Sequence, residues 1–262
     1  MPMEQGFPQL IDPARLARAL ERHAAGYAGA DPFPHCAIDD PFDPAVLDLV
    51  LSEFPTPEEI RWRRFDNARE IKYAASDLSE MKPATRAMFH ALNGPEFVGF
   101  LERLSGIQGL IPDPRLEGGG LHMIPRGGKL GIHADFNRHS VTKLDRRLNV
   151  LIYLNRDWRE EYGGHLELWD QGMTACRRRV LPGFNRMVVF STTSQSYHGH
   201  PDPLTCPEGW FRRSLALYYY SNGRPEAERG GGHDTLFRDR PDEKTADRGL
   251  LKKLMPWLKR RG

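Results

Sequence analysis

GLHMIPRGGKLGIHAD, residues 120–135, holds two short apolar runs divided by the turn Arg126-Gly127-Gly128. Runs of this length, bounded by Gly, Pro, Asn or Asp, read as strands rather than helices. The same texture extends outward from Pro112 to Ser221. LNVLIYLN (148–155), HLELWD (165–170), RRRVL (177–181), RMVVFST (186–192) and FRRSLALYYY (211–220) follow, with turns such as Pro182-Gly183-Phe184-Asn185 between them. Many short strands without intervening helices predict an antiparallel sandwich or barrel. The expected fold class is α+β, mainly β: a double-stranded β-helix, or jelly roll, over residues 111–222 with N-terminal supporting helices.

Residues 1–110 read as mainly helical. Leu10, Ile11, Leu16, Leu20 and Ala24 have helical spacing with Pro13 in the first turn, and residues 43–54, 79–92 and 95–105 repeat the pattern. FPHCAIDDPF reads as a short strand before the second of these helices. Residues 223–262 are expected to form a polar, Gly-rich loop and a short basic helix, LLKKLMPWLKRRG, interrupted by Pro256.

Composition narrows the function. The 37 basic and 35 acidic residues nearly cancel, so there is no basic field for nucleic acid. No apolar stretch approaches the roughly 18 residues of a membrane span, and the N-terminus shows no secretory signal, so a soluble, cytoplasmic protein is expected. Cys36, Cys176 and Cys206 lack the spacing of a zinc site or a disulfide framework and read as reduced thiols. One catalytic domain is the expectation for 262 residues, with the oligomeric state left open.

The chemistry starts at His133-Ala134-Asp135. Residues two apart on a strand share a face, so an imidazole and a carboxylate converge there. His198, 63 residues beyond Asp135, is the candidate third ligand; His200 shares its face and competes with it. Two histidines and a carboxylate leave about half of an octahedral ion's positions open, which suits iron that must also take a bidentate cosubstrate and dioxygen. Fourteen residues after His198 stand Arg212 and Ser214, again on one face, and guanidinium plus hydroxyl makes a clamp for a carboxylate. Tyr153 can add a phenolic hydrogen bond, and Arg213 competes with Arg212 should the strand carry a bulge. His122 and His139 flank the ligand strand as substrate-contact candidates, and the loops 137–143 and 156–162 are expected to shape the substrate pocket.

HADFN, LNVLIYLNRDW with GGHLELWD, RMVVF with SYHGHPDP, and FRRSLALYYY together resemble the iron(II)- and 2-oxoglutarate-dependent dioxygenases of the prolyl 4-hydroxylase-like branch, in order over about residues 115–221. The resemblance implies that His133, Asp135 and His198 bind Fe(II), and that Arg212 and Tyr153 hold the far carboxylate of 2-oxoglutarate. Dioxygen is then the second cosubstrate and ascorbate a candidate reductant. The implied reaction hydroxylates an unactivated C–H bond of an amino acid, a peptidyl residue or another small metabolite, with release of succinate and carbon dioxide. Halogenases of this kind lack the carboxylate ligand, which is present here as Asp135. Two other classes fit parts of the pattern: a jelly-roll binding protein without redox activity, and a zinc-dependent hydrolase in which Arg212 has no task.

Overall fold

The computed structural model describes residues 9–228 and 231–243. Four helices lie before residue 106: α1 (Pro13–Tyr27), α2 (Pro44–Ser52), α3 (Pro83–Leu92) and α4 (Pro95–Ser105), each opening on a proline. Proline suits that position because its missing N–H would have no intrahelical partner there. Asp12 and Asp43 cap α1 and α2 by accepting from backbone N–H groups of the first turn. Lys82 cannot do this for α3. Glu53, just past α2, accepts from Ala84 N at 3.1 Å and Thr85 N at 2.8 Å instead, so one carboxylate caps α3 and ties two helices together.

Thirteen strands follow in chain order. They are β1 (His35–Asp39), β2 (Arg63–Asp66), β3 (Glu70–Ala75), β4 (Ile111–Pro112), β5 (Gly120–Pro125), β6 (Lys129–Ala134), β7 (Asp145–Tyr153), β8 (Leu166–Trp169), β9 (Cys176–Val180), β10 (Arg186–Ser191), β11 (His198–His200), β12 (Phe211–Ser221) and β13 (Leu236–Phe237). One wall runs β1-β10-β7-β12-β5-β3 and the other β6-β11-β8-β9. β3 joins them: Tyr73–Ala75 pair with β5, while Glu70 and Ile71 pair with β6. Every ladder is antiparallel, and the result is a jelly roll.

Strand alternation decides what each face does. Leu215, Leu217 and Tyr219 of β12, with Leu148, Val150 and Ile152 of β7, turn outward and pack on Val46, Leu47, Met88, Phe89, Phe97 and Phe100 of the helices. Arg212, Ser214 and Tyr218 turn inward and line the space between the walls. Tyr153, Leu166, Leu168, Val188 and Phe190 close one end of that space.

The helices lie within a few residues of the predicted spans. Two features differ from the sequence reading. Strands β1 to β3 come from the first 110 residues, so the sheet does not begin at residue 111. The β2–β3 hairpin escaped notice because RRFDNAREIKYAA has no apolar run; its side chains are exposed or half-buried up to Ala75. Residues 236–237, expected in a polar loop, pair with His133 and Ala134 as β13. The predicted basic helix at 250–262 lies outside the described residues, among which no helix is long and apolar enough to cross a membrane.

Phe97 touches Phe42, Phe100 and Tyr219 and is fully buried where α4 meets the sheet. Phe97→Ala should cost about 3–5 kcal/mol through lost transfer energy and a cavity. Urea unfolding of the purified variant reads this as a lower midpoint at unchanged slope, and a loss under about 1 kcal/mol would mean that α4 is not part of the core.

Candidate active site

The β6–β11 ladder places His133 directly opposite His198, and Asp135 follows one residue past the end of β6. Among the described residues these three form the only group of three or more His, Cys, Asp or Glu able to share a metal ion, each offering an atom within 4.8 Å of the others. His200 is not in the group. Nδ1 of His133 lies 2.9 Å from Gly131 O, and Nδ1 of His198 lies 2.9 Å from Ser196 O. A carbonyl only accepts, so both Nδ1 atoms carry the proton and both Nε2 lone pairs are free to bind a metal. Nε2 of His133 is 3.5 Å from Asp135 Oδ1, and Nε2 of His198 is 3.3 Å from Asp135 Oδ2.

Asp135 Oδ2 accepts from Asn149 Nδ2 at 2.7 Å and has Arg146 Nη2 at 3.1 Å, an ion-pair contact outside hydrogen-bond alignment. Burial alone would raise this carboxyl, but the Arg146 charge leads the opposing effects and holds it well below the usual carboxylate range. Arg146 is fully buried, donates from Nε to Asn149 Oδ1 at 2.9 Å, and lies 3.4 Å over the Tyr218 ring and 4.5 Å over Phe136. Sequence reasoning missed both Arg146 and Asn149. Asn149 sits two and four residues before Leu151 and Tyr153 on the inward face of β7, and a polar residue in that register was the signal available.

Arg212 faces the same cavity from β12. It is 4% exposed, donates from Nε to Gly164 O at 2.8 Å and from Nη2 to Tyr153 Oη at 3.2 Å. Gly164 has φ +71°, and a Cβ there would come within 2.6 Å of Leu204 and 3.0 Å of Arg212, so glycine is required for the guanidinium to lie where it does. Ser214 lines the cavity beside Arg212, whereas Tyr153 stands behind the guanidinium and orients it. Arg213 points to the other side of the strand, 5.6 Å from Phe54 and Phe211.

The cavity of about 880 Å³ contains His133, Asp135, His198, Arg212 and Ser214 on its walls. Arg138, His139, Ser140 and Lys143 of the 137–143 loop line its mouth as expected, but no residue of 156–162 does. Trp158 and Tyr162 pack instead with Ile124, Leu204 and Cys206, because these apolar rings bury more surface there than at a polar rim. The β2–β3 hairpin, through Arg63, Phe65, Glu70 and Lys72, takes the place expected of that loop. His139 is 3% exposed and accepts at Nδ1 from Val141 N and Thr142 N, so its task is to hold the 137–143 loop. His122 lines the cavity, and burial followed by the Lys72 charge pushes its imidazole down to about 3.

Burial also lowers the imidazoles of His133 and His200. A histidine lowered on folding binds its proton in the unfolded chain first, so stability is intact above about pH 6.5 and falls as pH drops below it. The metal-free protein should therefore lose up to about 1.4 kcal/mol per pH unit for each such histidine between pH 6.5 and 5.5. Denaturant midpoints across this range measure it. A midpoint that is flat or rises toward pH 5.5 would contradict the burial of these rings as neutral groups.

Residues 119–220 match the family model described as the 2OG-Fe(II) oxygenase superfamily. No curated protein matches the sequence. Many solved structures share the fold, three prolyl hydroxylases among them. A Pseudomonas putida prolyl-4-hydroxylase aligns at TM-score 0.53 and 14% identity, over 81% of this chain and 100% of that one. A prolyl 4-hydroxylase from Phytophthora capsici aligns at TM-score 0.56 and 19% identity, over 97% and 78%. A Trichoplax adhaerens prolyl hydroxylase, solved with a peptide fragment of the hypoxia inducible factor oxygen degradation domain, aligns at 0.55 and 16%, over 79% and 91%. The span 119–220 runs from the start of β5 nearly to the end of β12 and includes His133, Asp135, His198, Arg212 and Ser214, and over it this chain is similar to the 2OG-Fe(II) oxygenase superfamily.

Proposed function

We propose that His133, Asp135 and His198 hold Fe(II), that Arg212 and Ser214 bind the far carboxylate of 2-oxoglutarate, and that the protein hydroxylates an unactivated C–H bond of an amino acid, a peptidyl residue or another small metabolite. The observation that carries this reading is the placement of the triad and of the buried Arg212 on the walls of one cavity. A hydrolytic metal site would need the triad and a water, but no buried guanidinium aimed into the same space. The donor set fits iron: two imidazole Nε2 atoms held in place from behind, and a carboxylate kept ionised.

When bound, Fe(II) with 2-oxoglutarate and dioxygen supplies the oxidising power for C–H hydroxylation, and 2-oxoglutarate leaves as succinate and carbon dioxide. The chain's own residues bind, orient and exclude water. Gly131 O and Ser196 O fix the two ring orientations, and Asn149 and Arg146 fix the carboxylate. Tyr153 and Gly164 O aim Arg212, whose planar fork matches a carboxylate. Ile124, Leu151 and Leu166 give the cavity apolar walls that limit water around the reacting groups. The β2–β3 hairpin and the 137–143 loop, both of which line the cavity, are the parts that would meet substrate. The peptide held by the Trichoplax adhaerens enzyme makes a peptidyl substrate one class to screen.

Anaerobic addition of Fe(II) and 2-oxoglutarate should produce a weak metal-to-ligand charge-transfer band in the visible, absent in His133→Ala. No band, together with no succinate formed in air from any candidate substrate, would overturn the assignment. Arg146→Met should weaken metal binding by about 10–100-fold through loss of the group that holds Asp135. Arg212→Met should leave metal affinity in place and weaken 2-oxoglutarate binding. Metal titration followed by cosubstrate titration of each variant separates the two effects.

A further inference from the structure

His200 is 3% exposed, and neither of its ring nitrogens has a hydrogen-bond partner among the described residues. Whichever tautomer it adopts, a neutral imidazole presents one N–H and one lone pair. A buried N–H without an acceptor costs about 1–3 kcal/mol, so such a group calls for an acceptor that the described residues do not provide.

Its position says where that acceptor lies. His198 pairs with Leu168 and Gly199 with Glu167, so β11 advances from the triad toward Leu166 and, beyond it, Gly164, the carbonyl that anchors Arg212. His200 lines the same cavity two residues further than His198, a step of about 7 Å along a strand. Arg212, Lys72, His133 and His122 lie close enough for positive charge on them to bear on its ring. Among the described residues, Glu70 is the cavity carboxylate beside Leu130, the β6 residue opposite His200, and it is 3.0 Å from Lys72 and belongs to that pair. Arg212 itself has no acceptor for Nη1 among the described residues. Unpaired donors thus gather at the end of the cavity away from Asp135, and an acceptor with negative charge and two oxygens satisfies them together.

We propose that His200 is a further cosubstrate-binding residue, donating a hydrogen bond to the distal carboxylate of 2-oxoglutarate alongside Arg212. The inference rests on the cosubstrate reading of the Arg212 clamp and adds to it a residue that the ligand triad leaves unused. An ordered water is the competing acceptor, and it predicts no dependence on the ligand's second carboxylate.

The test is calorimetric titration of the Mn(II)-loaded full chain, without oxygen, using two ligands. One is 2-oxoglutarate, the other 2-oxobutanoate, which keeps the 2-oxo acid head and lacks the distal carboxylate. His200→Leu should weaken 2-oxoglutarate binding about tenfold and leave 2-oxobutanoate binding and Mn(II) affinity unchanged. His200→Gln, which restores a donor, should recover part of the loss. Equal weakening of both ligands, no weakening of either, or loss of Mn(II) binding in His200→Leu would overturn the proposal. Failure of the unaltered protein to bind 2-oxoglutarate more tightly than 2-oxobutanoate would instead overturn the clamp reading on which it rests.

Discussion

The site depends on how closely β11 can approach β6. A Cβ on Gly199 would lie 2.7 Å from Gly131 O and 2.8 Å from Leu130 O, so only glycine lets the two backbones meet at this distance. That contact brings His198 opposite His133, with ring centroids 4.5 Å apart. It also passes over a break in register, since His198 pairs with His133 but His200 with Leu130. The extra residue on β6 is a bulge, a device that re-aims neighbouring side chains. Two histidines flanking one glycine are therefore given different places by a single backbone constraint: one joins the triad and the other lines the cavity outside it.

Charge is organised around that geometry. The triad's carboxylate is buried, and a buried charge is tolerated only when paired and hydrogen-bonded. Arg146 and Asn149 meet this need from β7, and the aromatic rings of Tyr218 and Phe136 in turn hold Arg146. Arg212 is treated differently. Its partners are the neutral groups Gly164 O and Tyr153, with no carboxylate paired to it among the described residues, so burial still lowers its guanidinium. One arginine thus stabilises a charge the chain already carries, and the other lies in the cavity wall with neutral partners.

The jelly roll supplies the stiffness for this arrangement by separating two jobs on alternate residues. On β7 and β12 the outward residues form the core with the helices, and the inward ones build the cavity. Because both faces belong to the same strands, packing at Phe97 and Phe100 holds the strands on which Tyr153, Arg212 and Ser214 sit. The cavity mouth is built from less constrained parts, the β2–β3 hairpin and the 137–143 loop, where change in sequence disturbs the core least.

Local sequence determined a good deal here. Short runs separated by Gly and Pro turns specified the strands, and the two-residue period placed His133 with Asp135 and Arg212 with Ser214. Pro and Asp marked where α1 and α2 begin. These are readable because they depend on neighbours within one element. The choice between His198 and His200, the outward turn of Arg213, the position of Tyr153 behind Arg212, and the pairing of Arg146 with Asp135 all needed the fold. So did the hairpin, whose largely polar sequence lies along the cavity, and β13, whose two residues are too few to show a period. Each of these depends on which strands lie side by side and in what register, and register between distant strands is set by the packing of the whole sheet rather than by any one segment.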